Sequence, residues 1–201
     1  MNNEIKKVTE ILLEGGVAVF PTDTVYGIGA LPREKSVIKI YEIKKRDFSK
    51  KIIALIEDIS MLNRIINETP ENIEKISPVL KKFWPGELTV IFKANTEFTG
   101  KFDRELETIG VRIPKNETAL SIIKNTGGIL LTTSANISGE EAVTELDKLS
   151  KEIREKADYV IGDDSKLTGK PSTIIKYENG NIELLRKGNI SSEDIKKAMK
   201  G

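Results

Sequence analysis

Short apolar runs rich in β-branched residues are interleaved, along the whole of this chain, with stretches whose apolar residues recur at helical spacing. That interleaving excludes a helical bundle and an all-strand sandwich, and it leaves a sheet packed against helices. Val17-Ala18-Val19-Phe20, Ile52 to Ile56, Leu88 to Phe92, Thr108 to Ile113 and Ile129 to Thr133 read as strands. Ile5, Val8, Ile11 and Leu12 form a helical stripe stopped by Gly15-Gly16, and Val37, Ile40, Tyr41 and Lys44 form a second. Further helices are expected over Ile59 to Ile66, from Thr69-Pro70 to the region of Phe83, over Thr118 to Lys124 and over Thr144 to Lys156.

Two features argue against a purely parallel sheet. Pro21 cuts the first strand and the chain returns through a turn over Thr24 to Gly29, while Asn179-Gly180 marks a hairpin between Ser172 to Tyr177 and Ile182 to Leu185. Tyr159 to Ile161 adds a strand, and Ser191-Ser192-Glu193-Asp194 caps a last helix running to Lys200. The expected class is α/β with a mixed sheet. A length of 201 residues suits one domain over 1–201, and Gly162 to Gly169 reads as a flap.

Composition narrows the chemistry. The chain holds neither cysteine nor histidine, which removes disulfides, thiol catalysis, imidazole bases and the commonest transition-metal ligands. Lys and Arg total 32 against 31 Asp and Glu, a net charge of +1 that is no nucleic-acid footprint by itself. The densest basic stretch is local, from Lys39 to Lys51. The polar start from Met1 to Glu10 lacks an apolar export core and nothing approaches a membrane span, so a cytoplasmic protein without a membrane partner is expected.

Polar groups cluster where regular structure ends. Lys44 and Arg46 follow a helical stripe, and Ser134 and Asn136 follow a strand; residues two apart share a face only on extended backbone, so both pairs are expected to present two side chains together. Most charge runs are solvated faces, but here a strand follows at once and places the charges at a strand mouth. Thr132 to Ser138 holds four hydroxyls and an amide in seven residues, more than capping one turn requires. Arg112 lies in an apolar strand before Pro114, where an unpaired buried charge would be costly, so it needs a partner or a ligand anion. The stretch Pro21 to Ala30 is most simply a turn with capping hydroxyls; alternatively Gly27 and Gly29 let a ligand approach while Thr24 supplies a hydroxyl. Gly27-Ile28-Gly29 lacks the third glycine of a dinucleotide fingerprint, and Gly169-Lys170 lacks the earlier glycine of a phosphate loop.

In this order Phe20-Pro21-Thr22-Asp23-Thr24-Val25-Tyr26-Gly27, Lys44-Lys45-Arg46, Phe83-Trp84-Pro85-Gly86, Gly110-Val111-Arg112-Ile113-Pro114, Ser134-Ala135-Asn136-Ile137-Ser138-Gly139, Pro171-Ser172-Thr173 and Leu185-Arg186-Lys187-Gly188 resemble the YrdC-like family of L-threonylcarbamoyladenylate synthases, in its short single-domain form. The resemblance implies a twisted mixed β-sheet with flanking helices around a concave basic cavity. It implies formation of threonylcarbamoyl-AMP and pyrophosphate from L-threonine, bicarbonate and ATP, for threonylcarbamoyladenosine in tRNA. It also implies that Arg46, Lys50, Thr108, Thr132, Ser134, Asn136 and Arg186 contact ATP, that Lys44 and Arg46 serve catalysis, and that Thr24, Arg112 and Ser172 contact L-threonine. Mg2+ would come with ATP, no transition metal is implied, and the partners are a downstream tRNA threonylcarbamoyl transferase complex and, as an open contact, tRNA. The chain departs from the pattern at Asp47, at Lys50-Lys51-Ile52, at Leu55 and at Glu87. The alternatives are a non-catalytic RNA- or tRNA-binding member of the same fold, and carbamoyl transfer from carbamoyl phosphate as in larger proteins that contain this domain.

Overall fold

The computed structural model describes residues 3–162 and 167–200. Its elements run α1 (Asn3–Leu13), β1 (Ala18–Pro21), β2 (Tyr26–Ala30), α2 (Glu34–Lys44), β3 (Ile53–Ile56), α3 (Leu62–Ile65), α4 (Pro70–Phe83), β4 (Leu88–Lys93), α5 (Thr96–Thr99), β5 (Thr108–Arg112), α6 (Glu117–Asn125), β6 (Ile129–Ser134), α7 (Lys151–Lys156), β7 (Tyr159–Val160), β8 (Thr173–Glu178), β9 (Asn181–Arg186) and α8 (Ser192–Lys200). Among the described residues the nine strands form one sheet in the order β7-β1-β2-β6-β3-β5-β4-β8-β9. The β1/β7, β3/β5 and β4/β8 pairs are parallel and the rest antiparallel, so the sheet is mixed as expected.

Local chemistry sets the boundaries. Thr69 accepts the Asn72 amide 3.2 Å away and Pro70 follows at the first helical position, where the missing N–H is unneeded, so α4 starts there. Asn179 and Gly180 both take positive φ, 50° and 83°, the conformation a tight β8–β9 hairpin requires. The helix expected over Thr144 to Lys156 is broken. Leu149 is extended and the Ser150 hydroxyl accepts the Ile153 amide, so a new helix, α7, starts at Lys151 after a single turn over Leu146–Lys148. Likewise Ile59 to Ile66 is one tight turn followed by the short α3. Of the expected flap, residues 163–166 lie outside the described residues; its end is fastened, with Thr168 and Gly169 donating to the carbonyls of Asp23 and Thr24 at 3.1 and 2.9 Å.

The two faces of the sheet are covered unequally, and that inequality makes the site. One face carries the main core, where Ala54, Ile56, Val90, Val111, Leu131 and Ile175 pack under α2, α4 and α8, with α7 covering the β1–β2 end. The other face is covered only at one end, by α1 and α6 against Ala18, Phe20, Leu55 and Leu130. Side chains alternate between faces along a strand, so Thr89, Gly110, Arg112, Thr132, Ser134 and Ile174 point to the less covered side. There the sheet floors a concave cavity of about 220 Å³. No helix of the described residues is long and apolar enough to cross a membrane.

Gly29 is pinned by its neighbours, since a Cβ there would meet the Leu131 carbonyl at 2.8 Å and the Phe20 ring at 2.9 Å. Gly29→Ala is therefore expected to lower stability by about 1–3 kcal/mol in chemical denaturation, the usual cost of overpacking where backbone must move.

Candidate functional site

Two motifs meet at the cavity rim through Lys44. This residue ends α2, is fully buried, and its Nζ donates to the backbone carbonyls of Ser134 and Asn136. The helix closes there with Lys45 in the left-handed region at φ 49°, while the amides of Lys45 and Arg46 bond back to Glu42 and Tyr41. This reversal turns Lys44 inward, Lys45 outward to Glu152 at 2.7 Å, and Arg46 over the cavity. Lys44 and Arg46 thus share no face, contrary to the extended-backbone expectation, because Lys44 is still helical.

The second pair divides in the same way. Ser134 ends β6 and lines the cavity, whereas Asn136 is buried and donates through Nδ2 to the carbonyls of Ile137 and Glu140 at 2.9 and 2.8 Å. Of the expected site residues, Thr24, Arg46, Arg112, Thr132, Ser134, Ser172 and Arg186 line one cavity. Lys44 and Asn136 lie behind its wall. Lys50 is exposed beside it, with Nζ 3.3 Å from the Ser138 hydroxyl, and Thr108 stands at the exposed start of β5 on the face shared by Gly110 and Arg112.

Each lining arginine is held by backbone oxygen. Arg46 donates from Nε to the Lys50 carbonyl at 2.8 Å and from Nη2 to the Lys51 carbonyl at 3.0 Å. Arg186 donates to the Ser172 carbonyl at 3.0 Å and hydroxyl at 3.2 Å, and that hydroxyl also bonds Thr89 at 2.8 Å. Gly188 permits this approach, because a Cβ there would sit 2.4 Å from the Thr173 nitrogen. Arg112 is almost wholly buried and donates from Nε to the Gly86 carbonyl at 2.9 Å, from Nη1 to Thr24 Oγ1 at 3.1 Å and from Nη2 to Asp23 Oδ1. Thr22 Oγ1 gives its proton to the Val25 carbonyl at 2.7 Å, so Thr24 must donate across the 3.0 Å contact to Thr22. A guanidinium carries five N–H groups, which leaves two of Arg112 for the cavity.

The cavity is electropositive although the chain as a whole is nearly neutral. Arg46, Lys51, Arg112 and Arg186 line it without one acidic side chain among the described lining residues. Burial, and then the Arg112 charge, push the Arg186 guanidinium down from its ordinary value. Burial does the same to Arg46 and Arg112, the latter supported by Asp23. Lys44 is pushed down to about 7, first by burial and then by Arg46. A neutral amine still has two N–H groups for its two carbonyls, so the clamp survives deprotonation. A larger groove of about 560 Å³ between β9 and α8 is floored by Ile175, Ile182 and Leu184 and has no comparable convergence of buried charge.

Residues 10–188 match the Sua5/YciO/YrdC family model, described as telomere recombination. The chain belongs to that family. Within it, a Methanocaldococcus jannaschii protein provisionally named threonylcarbamoyl-AMP synthase is 37% identical over 201 residues, covering 96% of this chain and 91% of that one. A Bacillus subtilis threonylcarbamoyl-AMP synthase is 31% identical over 194 residues, covering 96% of this chain and 55% of that one. The structure of Pyrococcus abyssi Sua5 complexed with L-threonine superposes with a TM-score of 0.87 at 32% identity, over 96% of this chain and 56% of that one. The chain therefore spans little more than half the length of the Bacillus and Pyrococcus relatives. The family's YrdC fold is the mixed sheet with flanking helices described above.

Motif reading missed Asp23, Lys51 and Thr89. Lys51 was legible by parity, because Lys51, Ile53 and Leu55 share a strand face and Lys50 does not. Thr89 stood out as a hydroxyl inside an apolar strand, and its contact with Ser172 shows its use. Asp23 carried no signal of its own in a turn full of capping residues.

Lys44 also gives a pH signature. Its folded-state value lies near 7 against an ordinary 10.5, so between those values the unfolded chain binds the extra proton and stability rises with pH. The stability difference between the native protein and Lys44→Met, measured by denaturant titration, should widen from pH 7 to 10.5. The variant should be less stable throughout, by about 1–3 kcal/mol for each carbonyl left unpaired.

Proposed function

We propose that this chain is an L-threonylcarbamoyladenylate synthase, joining L-threonine, bicarbonate and ATP into threonylcarbamoyl-AMP and pyrophosphate for tRNA threonylcarbamoyladenosine. The observation that carries this reading is one cavity divided by charge. Arg46 and Arg186 face it held only by carbonyl and hydroxyl oxygens, and Lys51 joins them from a 2.9 Å pair with Asp103, which suits a polyanion, while Arg112 sits against Asp23 and Thr24 with two N–H groups left for a single carboxylate. The name of the Bacillus relative and the L-threonine in the Pyrococcus structure support the same assignment.

The reaction needs no enzyme nucleophile. The threonine amine adds to the bicarbonate carbon and water is lost, leaving a carbamate. A carbamate oxygen then attacks the α-phosphorus of ATP, the bond to the β-phosphate oxygen breaks, and pyrophosphate leaves. Arg46, Lys51 and Arg186 would stabilise negative charge growing on phosphate oxygens, and the Thr132 and Ser134 hydroxyls would orient them. Arg112, with Thr24 and Ser172 beside it, would hold the amino-acid carboxylate so that the amine and carbamate stay in line with phosphorus. Lys44 and Asn136 would act from behind the wall, by shaping the loop that carries Ser134.

Among the described residues no three acidic side chains gather as a metal cage. That donor set fits Mg2+ carried on the triphosphate, where it would neutralise phosphate charge, with hydroxyls rather than carboxylates of this chain beside it. The product would pass to a tRNA threonylcarbamoyl transferase, and we place the work in the cytoplasm.

Pyrophosphate release from ATP tests the reading: it should require both L-threonine and bicarbonate. Release indifferent to either one, or none from folded protein, would sink it. Arg112→Ala should raise the KM for L-threonine about tenfold or more while barely moving that for ATP, and Arg46→Ala should do the reverse, since each removes one charge-assisted contact.

A further inference from the structure

Asp23 is the carboxylate in direct contact with Arg112, whereas Glu87 acts on that guanidinium through its field and Asp103 pairs with Lys51 at 2.9 Å, and the arrangement of Asp23 is one-sided. Its side chain is nine-tenths buried; Oδ1 accepts from Arg112 Nη2, while Oδ2 is buried and accepts no hydrogen bond. Its backbone is fixed from outside the site by Thr168, which donates to the Asp23 carbonyl at 3.1 Å, so the side chain is not needed to close the turn. A buried carboxylate with one unpartnered oxygen is costly unless something uses its charge.

Arg112 uses part of it, but a simple counter-ion role leaves a question about the ligand. An amino acid carries a carboxylate and, a short distance away, an ammonium. The carboxylate suits Arg112, yet the ammonium would enter a cavity lined by four cations, of which, among the described residues, Lys51 alone is paired with a carboxylate other than Asp23. Without a negative charge beside Arg112 that cavity favours a plain carboxylate anion over a zwitterion, because an ammonium next to guanidinium groups is repelled. Asp23, in contact with Arg112, is the charge placed to reverse that preference.

We propose that Asp23 is the specificity-determining residue of the Arg112 subsite, the group that makes it select a zwitterionic amino acid over the corresponding deaminated acid. It is a positioning residue acting through Arg112 and through its own field. The inference rests on the proposed amino-acid subsite and deepens it.

The test is binding by the full chain of two probes, L-threonine and 3-hydroxybutanoate of matching configuration, which differ by the amino group alone. The native protein should prefer L-threonine by about tenfold or more, the scale of one charge-assisted contact. Asp23→Asn keeps an acceptor for Arg112 but removes the charge, and it should weaken L-threonine while strengthening 3-hydroxybutanoate. Asp23→Glu, which keeps the charge, should retain a preference for L-threonine. A purely structural Asp23 would move both ligands by the same factor, and that result overturns the proposal. So does equal binding of both probes by native protein, a measurement that needs no variant to fold. Binding of neither probe by native protein would instead remove the amino-acid subsite itself, and this inference with it.

Discussion

The site depends on one buried amine. Lys44 is carried inward by the last turn of α2 and grips the carbonyls of Ser134 and Asn136, tying a helix end to the loop that leaves β6. The Ser138 amide adds a second link between these segments, donating to the Lys44 carbonyl at 3.0 Å. The clamp fixes Ser134 at the cavity and, through the reversal at Lys45, swings Arg46 over it. A buried ammonium alone would be a poor strut because its desolvation is costly. A group whose proton leaves near pH 7 avoids much of that cost while keeping two donors for two acceptors.

The bare half of the sheet face is the other constraint. Alternation along β3, β5, β6, β4 and β8 sends apolar residues to the fully covered side and Arg112, Thr132, Ser134 and Thr89 to the other. Glycine keeps that floor open: a Cβ at Gly110 would meet the Ile53 side chain at 2.8 Å and Thr89 at 3.2 Å, both of them lining residues. The cavity is thus a consequence of where α1 and α6 stop rather than a pocket cut into a finished core.

Strand and helix placement was legible because it rests on local signals. Pro70 after Thr69 started α4 where expected, and Asn179-Gly180 turned the last hairpin. The break at Ser150 was also written locally, but the apolar stripe through Thr144 to Lys156 masked it, and a capping hydroxyl prevailed over periodicity. The site was legible as a set of motifs and illegible as a geometry. That Lys44 and Asn136 point inward follows from a left-handed residue at Lys45 and from a contact across 92 positions, neither of which spacing reveals. Asp23 was hidden for a different reason: polar residues in turns usually serve the backbone, and only the tertiary contact with Arg112 separates this one from its neighbours.

Without histidine or cysteine, and with Lys44 turned away behind the wall, the described lining of the cavity has no group of its own to move a proton near neutrality, so the proposed chemistry leans on where its cations stand. They are held in an uncommon way. Arg46 is fastened by the carbonyls of Lys50 and Lys51, Arg186 by that of Ser172, and Lys44 by those of Ser134 and Asn136. A carbonyl dipole fixes a cation in place without cancelling its charge, whereas a carboxylate does both. Anchoring by acids would leave a cavity just as ordered and far less attractive to phosphate oxygens. Two lining cations depart from the pattern: Lys51 pairs with Asp103 at 2.9 Å near the cavity mouth, and Arg112 takes one carboxylate as well as the Gly86 carbonyl. Through Arg46 and Arg186 the cavity therefore offers full positive charge to a polyanion, through Arg112 a tempered charge to a smaller ligand, and the choice of anchor for each arginine sets which is which.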